Sequence, residues 1–110
     1  MCGIVGYVGP RPALDVVVEG LRRLEYRGYD SSGVAVLGVD GLQIAKKAGR
    51  IENLDKLIAS ELTPSSIAGH TGMGHTRWAT HGAPTDRNAH PHPDSAGRVA
   101  VVHNLSLIHI

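Results

Sequence analysis

The chain has 110 residues with a net charge of +1, 42% of them hydrophobic and 19% charged. That balance is globular, and it excludes both a disordered polar chain and a strongly basic nucleic-acid-binding surface. No apolar run approaches the ~20 residues of a membrane-spanning helix. One cysteine rules out an internal disulfide, and no basic flank with an apolar segment marks the start for secretion, so a cytoplasmic location is expected. The length suits one small domain or part of a larger one. With aromatics at 4% and no phenylalanine, the core must be built from Val, Ile, Leu and Ala.

Cys2 to Val8 is short, apolar and β-branched, and it stops at Gly9-Pro10-Arg11-Pro12, which predicts a buried strand ending in a turn. From Ala13, the positions Leu14, Val17, Val18, Leu21 and Leu24 repeat at helical spacing. Pro12 at the entrance and Arg22-Arg23 near the exit suit that helix and its dipole. Tyr26 to Gly33 reads as a polar loop, Val34 to Val39 as a strand, Asp40-Gly41 as a hairpin signal and Leu42 to Ala48 as the returning strand. Ile51, Leu54, Leu57, Ile58 and Leu62 predict a second helix, ended by Thr63-Pro64. Gly72 to Thr80 should be a strand running into a loop, His81 to Arg98 a loop rich in Gly and Pro, and Val99 to His103 a last strand. Strands outnumber helices in this reading, and their order predicts a mixed α+β layer structure rather than regular βαβ winding.

Several residue groups could carry chemistry. Cys2 would become the amino terminus if Met1 were removed, which would join a thiol to an α-amine titrating near ~8 that could take the thiol's proton. An ordinary buried cysteine near the start codon explains that position equally well. His90-Pro91-His92 is the closest histidine pair, but its prolines suit a rigid loop, and no second cysteine or acidic cluster completes a metal-ligand set. Gly69-His70-Thr71-Gly72-Met73-Gly74 lacks the spacing and the Lys-Ser or Lys-Thr of a phosphate loop, so close backbone packing beside a strand is the better reading. His75 to Gly82 gathers an arginine, an indole, two hydroxyls and two imidazoles in eight residues. A guanidinium can clamp a carboxylate through two parallel hydrogen bonds, and a neighbouring indole can exclude water from a small polar ligand. A surface ion pair beside a core tryptophan is the plainer alternative.

Taken in order, Met1-Cys2-Gly3-Ile4-Val5-Gly6, Leu21 to Ser31, His75-Thr76-Arg77-Trp78-Ala79-Thr80-His81-Gly82 and Asn88-Ala89-His90-Pro91-His92 resemble the glutaminase domain of the glutamine–fructose-6-phosphate aminotransferase family. The resemblance runs from residue 1 to 104. Glu25-Tyr26-Arg27-Gly28-Tyr29-Asp30 separates it from two relatives sharing the Cys-Gly-Ile start, glutamine phosphoribosylpyrophosphate amidotransferase and asparagine synthetase. The resemblance implies an α+β fold, the N-terminal-nucleophile (Ntn) hydrolase αββα sandwich, of which residues 2–104 would be the first part. It also implies L-glutamine as substrate, with Cys2 forming a γ-glutamyl thioester and releasing ammonia. Other domains of the parent enzyme, a homodimer, would use that ammonia on fructose 6-phosphate. By the same resemblance Arg77 binds the α-carboxylate of glutamine, Thr80 and His81 help form that pocket, and Trp78 belongs to a loop closing over it. Arg27 supports the cysteine's surroundings, and Asn104 supplies an oxyanion donor. His90 and His92 take a structural role. No metal or organic cofactor, nucleic acid or membrane is implied.

The likeness breaks after His103-Asn104. The family continues with glycine and Ile-Ile-Glu-Asn, whereas this chain reads Leu105-Ser106-Leu107-Ile108-His109-Ile110. Leucine keeps a backbone N–H after the asparagine but does not readily adopt a positive φ. The six residues also resemble the translation of a transposon-end adapter used in library preparation, CTG TCT CTT ATA CAC ATC. Residues 105–110 are therefore expected to be foreign to the family. Long-read sequencing across the codons for Asn104 and Leu105 tests this, and recovery of the same six codons followed by a stop would disprove it.

Overall fold

The computed structural model describes residues 3–25, 29–38, 41–62, 68–77, 89–93 and 100–101. In chain order they form β1 (Gly3–Val8), α1 (Ala13–Arg23), β2 (Ser31–Gly38), β3 (Gly41–Ala48), α2 (Ile51–Glu61), β4 (Thr71–Arg77), β5 (His92–Pro93) and β6 (Ala100–Val101). The first four strands to be paired form one antiparallel sheet in the order β1-β4-β2-β3, and β5 pairs with β6 in a second, two-stranded one. The fold is α+β, with an antiparallel sheet and two helices.

β1 and β2 both pair with β4, so the chain leaves β1 through α1 and returns two places away. The registers Gly3↔Thr76, Val5↔Gly74 and Tyr7↔Gly72 set alternate residues of β1 and β4 on the helical side. A Cβ built at Gly74 would lie 2.5 Å from Val17 Cγ1 and 3.0 Å from Leu21 Cδ1, so a bare backbone there is what allows α1 to sit close to the sheet. Leu14, Val17 and Leu21 of α1 meet Val34 and Val36 of β2, Ala45 of β3, and Ile51, Leu54 and Ile58 of α2 in a single buried cluster. It is aliphatic, as the composition requires, with Tyr7 and Tyr29 only at its margin.

Both helices lack a side-chain N-cap of their own. The Ala13 N–H of α1 instead donates to the Gly69 carbonyl at 2.7 Å. The Ile51 N–H of α2 donates to the Tyr29 hydroxyl at 2.9 Å, and that hydroxyl donates in turn to Glu25 Oε1 at 3.3 Å. Burial pushes the Tyr29 phenol above its ordinary pKa, against the opposing pull of the Ile51 N–H. Tyr29→Phe would leave one helix-end donor without its partner, and the expected cost is about 1 kcal/mol. Faster hydrogen exchange at the Ile51 amide with the fold retained would register it. Arg22 and Asp55 join the helices through an ion pair at 2.5 Å, but both are substantially exposed, so its contribution is about 0–1 kcal/mol.

The structure moves several predicted boundaries. β2 starts at Ser31 rather than Val34, because Ser31, Ser32 and Gly33 pair with Arg77, Thr76 and His75 on one side and with Ala48, Lys47 and Lys46 on the other. Paired on both edges, these residues form strand despite their loop-like composition. β2 ends at Gly38, one residue before the predicted Val39, and Gly41, which the Asp40-Gly41 signal puts in the turn, pairs with Gly38 as the first residue of β3. Gly41 opens β3 at φ +108°, a conformation that glycine alone adopts easily. Leu24 and Leu62 are C-caps rather than helical residues. β4 begins at Thr71, and its expected extension to Thr80 falls outside the described residues, as do Val99, Val102 and His103 of the last predicted strand. β5 lies within the predicted 81–98 loop.

Candidate functional site

Gly3 starts β1 beside Thr76, and Arg77 ends β4 beside Ser31 of β2, so these ends meet at one edge of the sheet. The Asp30 N–H donates to the Arg77 carbonyl at 2.8 Å and extends the ladder past β2. Here the interior turns polar, with Ser31, Ser32, His75, Thr76 and Arg77 all buried. The Ser31, Ser32 and Thr76 hydroxyls have no hydrogen-bond partner among the described residues. Three buried hydroxyls thus gather at this end of the sheet, beside the start of β1 and the end of β4.

Alternation along β4 sends Thr76 toward the helices and His75 and Arg77 toward the opposite face. On that face the segment 89–93 lies over β2. Ala89 and Pro91 are buried, and the His90 carbonyl oxygen occupies the space any Cβ at Gly33 would need. The His90 ring stacks on His75 with centroids 4.3 Å apart and planes 23° apart, and it meets His92 at 4.3 Å and 57°. The peptide between His90 and Pro91 is cis.

Burial, then His75 and His92, then the charges of Arg77 and Lys46, lower the His90 pKa from 6.5 to about 4. His92 is lowered as well, first by burial and then by Lys46 and Arg77. A histidine depressed in the folded state binds fewer protons than in the unfolded one, so its neutral form favours folding above 6.5 and that favour fades as pH falls toward 4. Hydrogen exchange at the Gly33 amide should therefore quicken relative to β1 as pH is lowered through this window, after correction for intrinsic exchange rates. A constant ratio would disprove this. Among the described residues, no three His, Cys, Asp or Glu side chains form a group able to hold a metal ion.

Of the candidate site residues singled out from sequence, the structure describes His75, Thr76, Arg77, His90 and His92. Cys2, Arg27, Trp78, Thr80, His81 and Asn104 lie outside the described residues. Sequence reasoning missed Ser31 and Ser32 as buried polar groups. The signal was present in the small and hydroxyl residues following Asp30, but it read as loop. The Gly69 to Gly74 stretch is closely packed backbone, with Gly69 against the Leu37 carbonyl and Gly72 and Gly74 under α1. Among the described residues, no helix is long and apolar enough to cross a membrane.

No protein-family model matches the chain. Individual curated proteins do. A glutamine–fructose-6-phosphate aminotransferase (isomerizing) of Streptomyces coelicolor is 69% identical over 94% of this chain and 16% of its own length. Those of Mycolicibacterium paratuberculosis and Thermus thermophilus are 65% and 58% identical over 94% of the chain and 17% of their lengths. Across nearly every residue the chain is thus closely similar to glutamine–fructose-6-phosphate aminotransferases, and because it spans only about one-sixth of their length it is a fragment.

Proposed function

We propose that residues 2–104 are the first part of a glutamine-hydrolysing domain with the Ntn hydrolase αββα architecture, and that residues 105–110 are a tail foreign to it. The observation that carries this reading is the junction of strand ends: Gly3, bonded to Cys2, pairs with Thr76, next to the buried Arg77. The sheet supports a sandwich, because its helix-free face presents Ile4, Val8 and Leu37 at 46%, 81% and 52% exposure, apolar surface of the kind a second layer covers.

In this reading the Cys2 sulfur attacks the side-chain carbonyl carbon of glutamine, and its proton passes to the Cys2 α-amine. The tetrahedral intermediate collapses to a γ-glutamyl thioester as the amine returns that proton to departing ammonia. Water then cleaves the thioester to glutamate and restores the thiol. Arg77 holds the α-carboxylate by a two-pronged ion pair, Thr80 and His81 complete that pocket, and Trp78 closes it from water. Asn104 donates to the developing oxyanion, and Arg27 organises the surroundings of Cys2. The full-length enzyme, a cytoplasmic homodimer, passes ammonia to domains that turn fructose 6-phosphate into glucosamine 6-phosphate, with no metal or organic cofactor.

The test is ammonia release from glutamine by the full-length enzyme, with mass spectrometry of the rapidly quenched protein. A γ-glutamyl adduct on the peptide carrying Cys2, lost together with ammonia release after thiol alkylation, is expected. Turnover that survives alkylation would rule the mechanism out. The 110-residue chain alone is proposed to be inactive, and thiol-dependent glutamine turnover by it would contradict that.

A further inference from the structure

His75 stands two residues before Arg77 on β4, so both side chains leave the same face of the sheet. His90 is the ring shared by both imidazole contacts, stacked on His75 and touching His92. Its backbone can settle here because Gly33 has no side chain, and a Cβ at that position would also fall 2.8 Å from Lys46 Cβ. The 89–93 segment thus presses on the sheet at the residue pair Gly33–His75, two positions along the register from the pair Ser31–Arg77 and on the same face.

We propose that the His75–His90 stack, seated over Gly33, positions the Arg77 guanidinium for the α-carboxylate of its substrate. This rests on the reading of Arg77 as the carboxylate ligand. The physical case concerns order. A long arginine side chain loses much rotamer freedom on being fixed, and a site that fixes it in advance avoids that loss on binding. A flat wall of two imidazoles beside β4 restricts which directions the Arg77 side chain can take. A neutral His90 ring suits the task. Among the described residues, the charged and titratable groups facing His90 are His75 and Arg77 from β4 and Lys46 from β3, with His92 on its own segment. β2 beneath contributes Ser31, Gly33 and Ala35, none of them ionisable, and Asp30 is tied to Arg77 through its backbone. A protonated His90 would set a second cation against Arg77 and push the wall away. His90 and His75 are thus positioning residues acting through Arg77.

The test is steady-state hydrolysis by the full-length enzyme of glutamine and of its α-amide, which lacks the carboxylate. His90→Ala should raise the glutamine KM about tenfold, the scale on which slight misplacement of a binding group acts, with kcat within about twofold. His90→Phe, which keeps a flat ring but cannot be protonated, should restore most of the KM. On the α-amide, His90→Ala should have little effect. Gly33→Ala, which lifts the same segment without touching a ring, should reproduce the KM effect. An equal penalty on both substrates, a loss confined to kcat, or failure of phenylalanine to rescue would overturn the positioning role. Arg77→Lys is the separate control. If it too penalises both substrates equally, the carboxylate reading of Arg77 fails. If it penalises glutamine alone while His90→Ala does nothing, only the positioning proposal fails.

Discussion

Cys2→Ala in the full-length enzyme is expected to lower glutamine hydrolysis by about a thousandfold or more, the scale seen when a covalent nucleophile is removed. In the proposed mechanism the thiol makes the new bond to carbon, so without it the reaction would have to proceed by direct attack of water and would lose the split into two easier steps. Ground-state binding should change far less, because in the proposed site the α-carboxylate is held by Arg77, and the sulfur contributes only once the carbonyl is attacked. Glutamate affinity within a few-fold of wild type, measured by calorimetry beside the collapsed turnover, is the expected pair of results. Cys2→Ser separates two demands on the residue: it keeps a proton-bearing nucleophile next to the α-amine but raises the pKa of the attacking group, so activity should stay close to that of alanine. Glutamine hydrolysis in Cys2→Ala near the wild-type rate would remove Cys2 from the reaction.

Leu21→Ala is expected to be the most damaging single truncation in the described core. Leu21 is fully buried, lies in the cluster shared by both helices and the sheet, and packs directly over Gly74. Truncating a leucine in such a place costs about 2–5 kcal/mol through lost transfer energy and the cavity left behind. The upper half of that range applies, because the surrounding strands are held by paired registers on both sides of β4 and have little freedom to collapse inward. Against a domain stability of about 5–15 kcal/mol this is a large share. Loss of hydrogen-exchange protection at β4 amides and a lower denaturation midpoint in Leu21→Ala, with Leu21→Met close to wild type, would be the signature. A change below about 1 kcal/mol, the scale of an ordinary surface substitution, would mean that α1 is not anchored where the structure places it.

Damage to α1 should also reach the chemistry. α1 rests on β1 and β4, the strands that carry Gly3 and Arg77. Leu24, just past the helix, lies against Gly3, where its Cδ1 would be 2.6 Å from a Cβ. Packing over Gly3 therefore connects the aliphatic core with the segment bearing the proposed nucleophile.

The elements with strong internal periodicity were legible from the sequence. Leu14, Val17 and Leu21 mark one face of α1, Ile51, Leu54 and Ile58 mark one face of α2, and each helix buries that face whatever its neighbours are. The pairing of β2 with β3 was legible for a similar local reason, since Asp40-Gly41 between two apolar runs signals a hairpin and set the strand ends to within one position. The ordered motifs also pointed to the family, which identity to known aminotransferases bears out. Tertiary structure alone decided the rest. Ser31, Ser32 and Gly33 carry no strand signal of their own and become strand because β3 and β4 both offer them partners, a long-range energy absent from local composition. The placement of His90 over Gly33 and beside His75 joins residues distant in sequence through a steric vacancy and a ring contact. Periodicity records which face of an element seeks burial, but which polar groups share that burial depends on how the strands are ordered in space.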